Sequence, residues 1–273
     1  MFALTALILT VFFLPETLAR PTLTAKEKRD KKDKSYIATA IFLVKENCKL
    51  ILNKQIALVV CGYCIHSFIS ICMYEIFPLW LMASEKSGGM AMSLGLIGTI
   101  QSINGLCLLI YQSSIFPRLA KYMPPINFWV LSGLLSVPTI IFMPFTSQFS
   151  TADTAMDFTW AAILRSIQVV LDMSIFTSSF LLINNSCDAL QRGAVNGLAM
   201  TIASFTKATG PILGSVIFAW SITNEMSFPF SHHFGFFIIA ILYLIQSLVV
   251  YKFFPQKLNV MKGGAIRKEG NGE

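Results

Sequence analysis

Charged side chains are scarce in this sequence of 273 residues. Asp, Glu, Lys and Arg make up 13 % of it, against about a quarter in soluble globular domains. Hydrophobic residues make up 55 %, and the mean hydropathy is +0.65. A soluble enzyme core needs a charged surface, and a disordered chain needs far fewer apolar residues. The composition excludes both and predicts a membrane protein.

The basic residues do not form a nucleic-acid-binding surface. The formal net charge is +7, which could indicate an anionic partner. However, most of the Lys and Arg residues lie in a few short stretches between long apolar runs. We therefore expect no nucleic-acid partner.

Cysteine and histidine are too few and too scattered to predict a cofactor or metal site. Four of the six Cys residues lie inside apolar runs, where small buried side chains are the simplest interpretation. Cys61 and Cys64 have the spacing of a dithiol redox motif, but that motif requires a strand before it and an exposed helix N-terminus. His66 is close by, yet no fourth ligand is evident. We expect neither a cofactor nor a metal.

Six apolar runs are long enough to cross a bilayer, which takes about 20 helical residues. Strands that span a membrane are about half that length and alternate strictly in polarity, so helices are the only fit. The sequence predicts an all-α polytopic membrane protein with a six-helix bundle over residues 55–254. The runs cover approximately 55–81, 92–116, 126–147, 158–183, 194–221 and 232–254.

The segments on either side of the predicted bundle are assigned from their charges. Residues 1–14 are apolar but too short to span, and they could be a signal peptide or the end of a truncated transmembrane helix. The following stretch, 15–54, carries ten cations, which favours the cytoplasm and therefore the truncated helix. We expect 15–54 to be a basic cytoplasmic central loop and 255–273 a cytoplasmic tail, so that both ends of the chain are cytoplasmic.

Apart from Lys252 at the end of the last run, four charged residues lie within the predicted spans, where each costs about 2.5–3.5 kcal/mol on insertion scales. They either form structural ion pairs or act in a cavity as substrate-binding or proton-coupling groups. For Asp172 and Lys207, near the middle of their runs, both roles are open; for Glu75 and Arg165, nearer the run ends, the structural role is favoured. Because the loop at 184–193 is short, we expect Asp172 and Lys207 to face one another on neighbouring antiparallel helices.

Small residues in the fifth run are candidates for helix packing or bending. Gly193 and Gly197 are four residues apart, a spacing that allows close helix approach. Gly210, Pro211 and Gly214 follow, and proline interrupts the hydrogen-bond ladder of a helix. We expect these five residues to contribute packing or a bend.

Several sequence motifs resemble the major facilitator superfamily, and specifically its zinc-induced facilitator-like branch. Residues 13–18 resemble the end of the sixth helix in that superfamily, and 74–80 the end of helix seven in that branch. The remaining motifs are similar to the branch's helix ten to eleven region, and they comprise Asn184-Asn185, 191–197, 205–208 and Gly210-Pro211. The chain thus resembles the end of helix six plus the six-helix C-terminal bundle, with a partial preceding helix.

The resemblance implies one half of a secondary transporter. Such transporters have two six-helix halves around a central cavity, and members of this branch are implicated in moving zinc chelators, organic anions or cations across vacuolar or plasma membranes with proton coupling. In this branch an acidic residue often follows a helix-seven histidine, but here Ser67 follows His66. That departure weakens the case for a proton role at this position.

Two functional hypotheses follow. The first is secondary, proton-coupled transport of a small polar or metal-chelating solute. The alternative is a non-transporting membrane scaffold or regulatory half-transporter that associates with another chain. No set of nucleophile and base indicates an enzyme. The expected partners are the lipid bilayer, a small solute, and either the missing N-terminal half or a second copy of this chain.

Overall fold

The computed structural model describes residues 52–148, 154–224 and 226–260. These residues belong to one compact unit, 47–273. The segment 1–14, nearly all of the loop 15–54 and most of the tail 255–273 lie outside the described residues, so their predicted roles stay predictions.

The elements of the described residues are all helices, with no strand, which confirms the all-α fold class. Six segments are long and apolar enough to cross a membrane, and they coincide with the six predicted runs. The α-helices are α1 (Lys54–Met82), α2 (Leu94–Ile110), α3 (Phe116–Leu119), α4 (Pro125–Phe142), α5 (Thr154–Ser186), α6 (Arg192–Thr223) and α7 (Phe234–Phe253). The second span consists of α2, a π-helical turn and α3.

Helix α1 lies at the centre of the bundle. It packs most extensively on α6 and also contacts α5 and α7, while α4 packs between α5 and α7. In the most apolar window of α1, 61 % of the residues are buried, against 22 % in the spans Leu94–Leu119 and Arg192–Thr223. The second and fifth spans therefore present the largest uncovered surfaces.

The π-helical turn in the second span has a local cause. Pro117 has no N–H to donate, so the regular ladder is interrupted just before it, and the Phe116 N–H bonds the Tyr111 carbonyl five residues back. The Tyr111 hydroxyl lies 2.5 Å from Ser174 Oγ on α5. The irregular turn is thus tied to the helix that carries Asp172.

The five small residues of α6 divide into two groups. A Cβ on Gly214 would lie 3.3 Å from the Cys72 carbonyl oxygen of α1, and one on Gly210 would overlap Ile71. Gly193 and Gly197 are exposed, and a Cβ on either would meet no described residue within 4 Å. Within the described bundle these two glycines therefore contact no other helix, and their predicted packing role stays a prediction. The helix continues through Pro211.

We predict that Gly214→Leu lowers stability by about 1–3 kcal/mol, because the added side chain would force α1 and α6 apart. Gly197→Leu is the matched control, since its side chain would enter open space. Thermal unfolding of the purified chain in detergent measures both. Equal losses in the two variants would contradict the assignment.

Candidate functional site

Asp172 is the centre of a polar cluster that joins three helices. Its Oδ2 accepts a hydrogen bond from Ser70 Oγ of α1 at 2.7 Å. Its Oδ1 accepts one from the Tyr243 hydroxyl of α7 at 2.6 Å. Hydrogen bonds to a carboxylate are about twice as strong as neutral ones. The cluster therefore fixes both oxygens of a carboxylate on α5 in the middle of the bundle.

His66 of α1 lies directly behind this carboxylate. Its Nε2 is 3.4 Å from Asp172 Oδ1, without the alignment of a hydrogen bond, and Nδ1 also has no hydrogen-bond partner. The side chain is fully buried, and its ring centroid lies 6.1–6.3 Å from those of Trp129, Phe176 and Tyr243. An imidazole is thus held in an aromatic pocket with Asp172 as its nearest charge.

A cavity of about 200 Å³ opens in front of Asp172. Lys207 of α6 also lines it, with its Nζ 5.1 Å from the centre of the Phe176 ring. The cavity therefore holds one acidic and one basic side chain between aromatic and hydroxyl groups. Its full lining is Ser67, Ser70, Ile71, Tyr74, Asp172, Met173, Phe176 and Lys207.

Asp172 and Lys207 share the cavity but do not form the ion pair that the spacing suggested. In the described part of the chain Asp172 instead lies beside His66, whose Nε2 is 3.4 Å from Asp172 Oδ1. The reason is the helix packing, because α6 lies mainly against α1 and only lightly against α5. The short connection between α5 and α6 does not make them close neighbours. Asp172 and Lys207 therefore line the same cavity without contacting one another.

Arg165 and Glu75 do not line this cavity. The Arg165 guanidinium is buried, with its central carbon 4.7 Å above the Tyr74 ring and 4.9 Å above that of Phe77. Its Nε and Nη2 find no hydrogen-bond partner among the described residues. Glu75 is half-buried on α1, where its Cβ lies near Gly214. Arg165 is two helical turns from Asp172 on the same face of α5.

Sequence reasoning did not identify His66, Ser70 or Tyr243 as site residues. A signal was available for the first two, because they are four residues apart and share one face of α1. Tyr243 gives no such signal, since a tyrosine in an apolar run is usually a packing residue. Its role depends on α7 lying beside α5.

The cysteines and histidines form no metal-binding group in the described residues: no cluster of three His, Cys, Asp or Glu is present there. Cys61 and Cys64 are free thiols two turns inside α1, with Cys61 exposed and Cys64 buried. They lack the helix N-terminus that a reactive dithiol requires.

The two other histidines of the chain are adjacent and lie just before α7. His232 and His233 stack with ring centroids 3.9 Å apart, and His233 is buried. The rings of Phe145 and Phe228 are 4.7 and 5.5 Å from His233. Burial in this aromatic cluster, together with the neighbouring His232, lowers the pKa of His233 to about 4.

We predict that Asp172→Asn and Tyr243→Phe are energetically coupled, by about 0.5–3 kcal/mol, because each removes one side of the same hydrogen bond. Asp172→Asn with Lys207→Gln should show a smaller coupling, since the two side chains do not touch. Thermal unfolding of the single and double variants measures both terms. A larger coupling of Asp172 to Lys207 than to Tyr243 would overturn this arrangement.

We also predict that His233 makes the protein less stable in acid. The unfolded chain binds a proton at the ordinary histidine pKa of about 6.5, whereas the folded chain binds it only near 4. This contribution to stability is therefore complete above about pH 6.5 and is lost as the pH falls towards 4. In His233→Gln the unfolding temperature should depend less on pH over that interval. Parallel profiles for the two proteins would contradict the prediction.

Comparison with known proteins finds similarity to three plant proteins. Zinc induced facilitator 1 of Arabidopsis thaliana is 31 % identical over 196 residues, covering 71 % of this chain and 39 % of that protein. Zinc induced facilitator-like 1 of the same plant is 30 % identical over 243 residues, covering 88 % and 50 %. A third Arabidopsis protein, named "Probable peptide/nitrate transporter", is 29 % identical over 223 residues, covering 80 % and 45 %.

The chain spans about half the length, or less, of these curated relatives. No protein-family model matches it, and no solved structure does. Its six apolar helices agree with integral, multi-pass insertion. On the strength of these relatives and of the all-helical membrane fold, the chain belongs to the zinc-induced facilitator-like branch of the major facilitator superfamily.

Proposed function

We propose that this chain forms the C-terminal half of a secondary transporter that moves a small polar or metal-chelating solute with proton coupling. The observation that carries the proposal is the cavity in which Asp172 and Lys207 present opposite charges inside membrane-spanning helices. Transporters of this general kind bind their solutes near the bilayer midplane. The two charges are the solute-binding or proton-coupling groups, and the chain is not an enzyme.

The separation of these charges supports binding rather than a structural role. Charges in hydrocarbon are tolerated when they pair with one another or line a wet cavity. A structural pair would bring the carboxylate and the ammonium into contact, but no such contact is present, and Lys207 Nζ lies over the Phe176 ring instead. An ammonium in this position suits an anionic oxygen of the solute.

The least buried spans support a partner for this half. The second and fifth spans are the most exposed, and small or hydroxyl-bearing residues occupy their exposed faces, including Ser102, Gly105, Gly197, Thr201 and Ser204. Such residues are typical of contacts between membrane helices. Together with the length of the relatives, this favours association with an N-terminal half or with a second copy of the chain.

The remaining proposals concern location. We infer insertion in a vacuolar or plasma membrane, with both termini of this chain in the cytoplasm. The basic residues of the 15–54 stretch support this orientation, because Lys and Arg concentrate on the cytoplasmic side.

Flux measurements in membrane vesicles from cells that express the chain test the proposal. The labelled probes are nitrate, a dipeptide and citrate, and vesicles without the chain give the background. Lys207→Gln and Asp172→Asn should each reduce flux of the transported probe by about tenfold or more, because a buried charged contact is worth at least 2 kcal/mol. Lys252→Gln, in the last turn of α7, is the matched control and should keep normal flux.

The outcomes separate the alternatives. Flux that survives both cavity variants would overturn the assignment of the cavity. No flux of any probe in the wild type, with the chain still bound to another membrane protein, would favour the scaffold or regulatory half-transporter. Robust flux by a purified monomer in proteoliposomes would contradict the need for a second half.

A further inference from the structure

We propose that His66 and Asp172 together bind one proton, and that this shared proton is the one coupled to transport. The inference deepens the proposed function, on which it rests, by adding a residue to the site and by setting the sign of the coupling. It is carried by the position of the His66 ring, which is fully buried 3.4 Å behind a carboxylate that faces the cavity.

The buried ring nitrogens of His66 lack, among the described residues, the hydrogen bonds that buried polar atoms normally make. Neither ring nitrogen has a hydrogen bond in the described structure, and an unpaired buried polar group costs roughly 1–3 kcal/mol. Three aromatic rings lie around the imidazole, the Gln246 side chain of α7 is a polar neighbour, and the Asp172 carboxylate is the nearest charge. A proton between Asp172 Oδ1 and His66 Nε2 would satisfy both groups.

Asp172 provides the route for the proton. Its side chain is 13 % exposed and lines the cavity, whereas that of His66 is fully buried. A hydronium ion in the cavity gives its proton to the carboxylate and leaves as water. The proton is then shared with the Nε2 lone pair, while Nδ1 keeps the ring's own hydrogen. The loaded pair, with the proton on Nε2 and hydrogen-bonded to Oδ1, is neutral overall, and the unloaded pair carries one negative charge.

Ser70 and Tyr243 keep the carboxylate in place during this exchange. Both hydroxyls donate to Asp172, one to each oxygen. They are positioning residues, because they hold Oδ1 towards the imidazole without carrying the transported proton themselves.

The charges around the pair decide how proton and solute are linked. Away from their ends, the described spans carry two acidic and two basic side chains. Their charges cancel when the His66–Asp172 pair holds no shared proton. Loading the proton leaves one positive charge in excess. Proton binding therefore favours an anionic solute at Lys207, and by reciprocity the anion favours the proton. The titratable groups around the pair are Tyr74 and Glu75 on α1, Arg165 and Asp172 on α5, Lys207 on α6 and Tyr243 on α7, while α4 contributes the uncharged Trp129.

The histidine content of the chain allows a direct test. The sequence has three His residues, so the double variant His232→Gln/His233→Gln contains His66 as its single imidazole. The purified chain is labelled with ¹³C at histidine Cε1, and the imidazole signal is followed by NMR between about pH 8 and pH 5, the range in which histidines respond. We expect one complete protonation step. With Asp172→Asn added, that step should disappear from the range, because the balancing carboxylate is gone.

The opposite results would overturn the proposal. An imidazole that shows no protonation step in the double variant, or one whose step is unchanged by Asp172→Asn, would show that the pair does not share a proton. Should the double variant fail to fold, the two single variants assign the three signals of the wild-type protein. Lys252→Gln in the double variant is the charge-change control and should leave the step in place.

The two proposals fail separately. The NMR titration requires only the folded chain, so it can fail while probe flux remains normal, and it can succeed in a chain that transports no probe. Where flux is found, His66→Gln should remove its stimulation by an imposed proton gradient. Stimulation equal to that of the wild type would count against His66.

Discussion

The low dielectric of the membrane is the constraint on which this structure depends. Within hydrocarbon a polar group without a partner is expensive, so each charged side chain must find a hydrogen bond, an opposite charge or a water-filled cavity. Asp172 shows how the bundle meets this demand. Its two oxygens take hydroxyl donors from α1 and α7, and so one carboxylate connects three helices at the centre of the bundle.

Close packing of α1 against α6 is the second condition for the site. The absence of side chains at Gly210 and Gly214 allows the two backbones to approach. This approach brings Lys207 to the cavity in front of Asp172 and keeps α6 away from α5. The lysine therefore lines the cavity with its Nζ over the Phe176 ring and without an ion pair to Asp172.

Much of the fold could be predicted, because length and hydropathy alone decide whether a segment can span a bilayer. All six spans were found in this way, and the motifs around Tyr74 and Gln191 were enough to identify the branch. The site was predicted less completely. Asp172 and Lys207 stand out because charges are rare in apolar runs, but His66 and Tyr243 have ordinary alternative roles, and their proximity to Asp172 depends on which helices are neighbours.

The sequence by itself determined the number of spans, the all-helical class, the family and the residues that hydrocarbon penalises, since these follow from local composition and from motifs. Only the tertiary structure decided that Asp172 contacts Ser70, Tyr243 and His66 rather than Lys207. It also decided that Gly193 and Gly197 are exposed, whereas Gly214 faces α1. The physical reason is that a short connection limits how far apart two helices can lie. It does not fix which face each helix turns to its neighbours, and that choice depends on packing over the whole bundle.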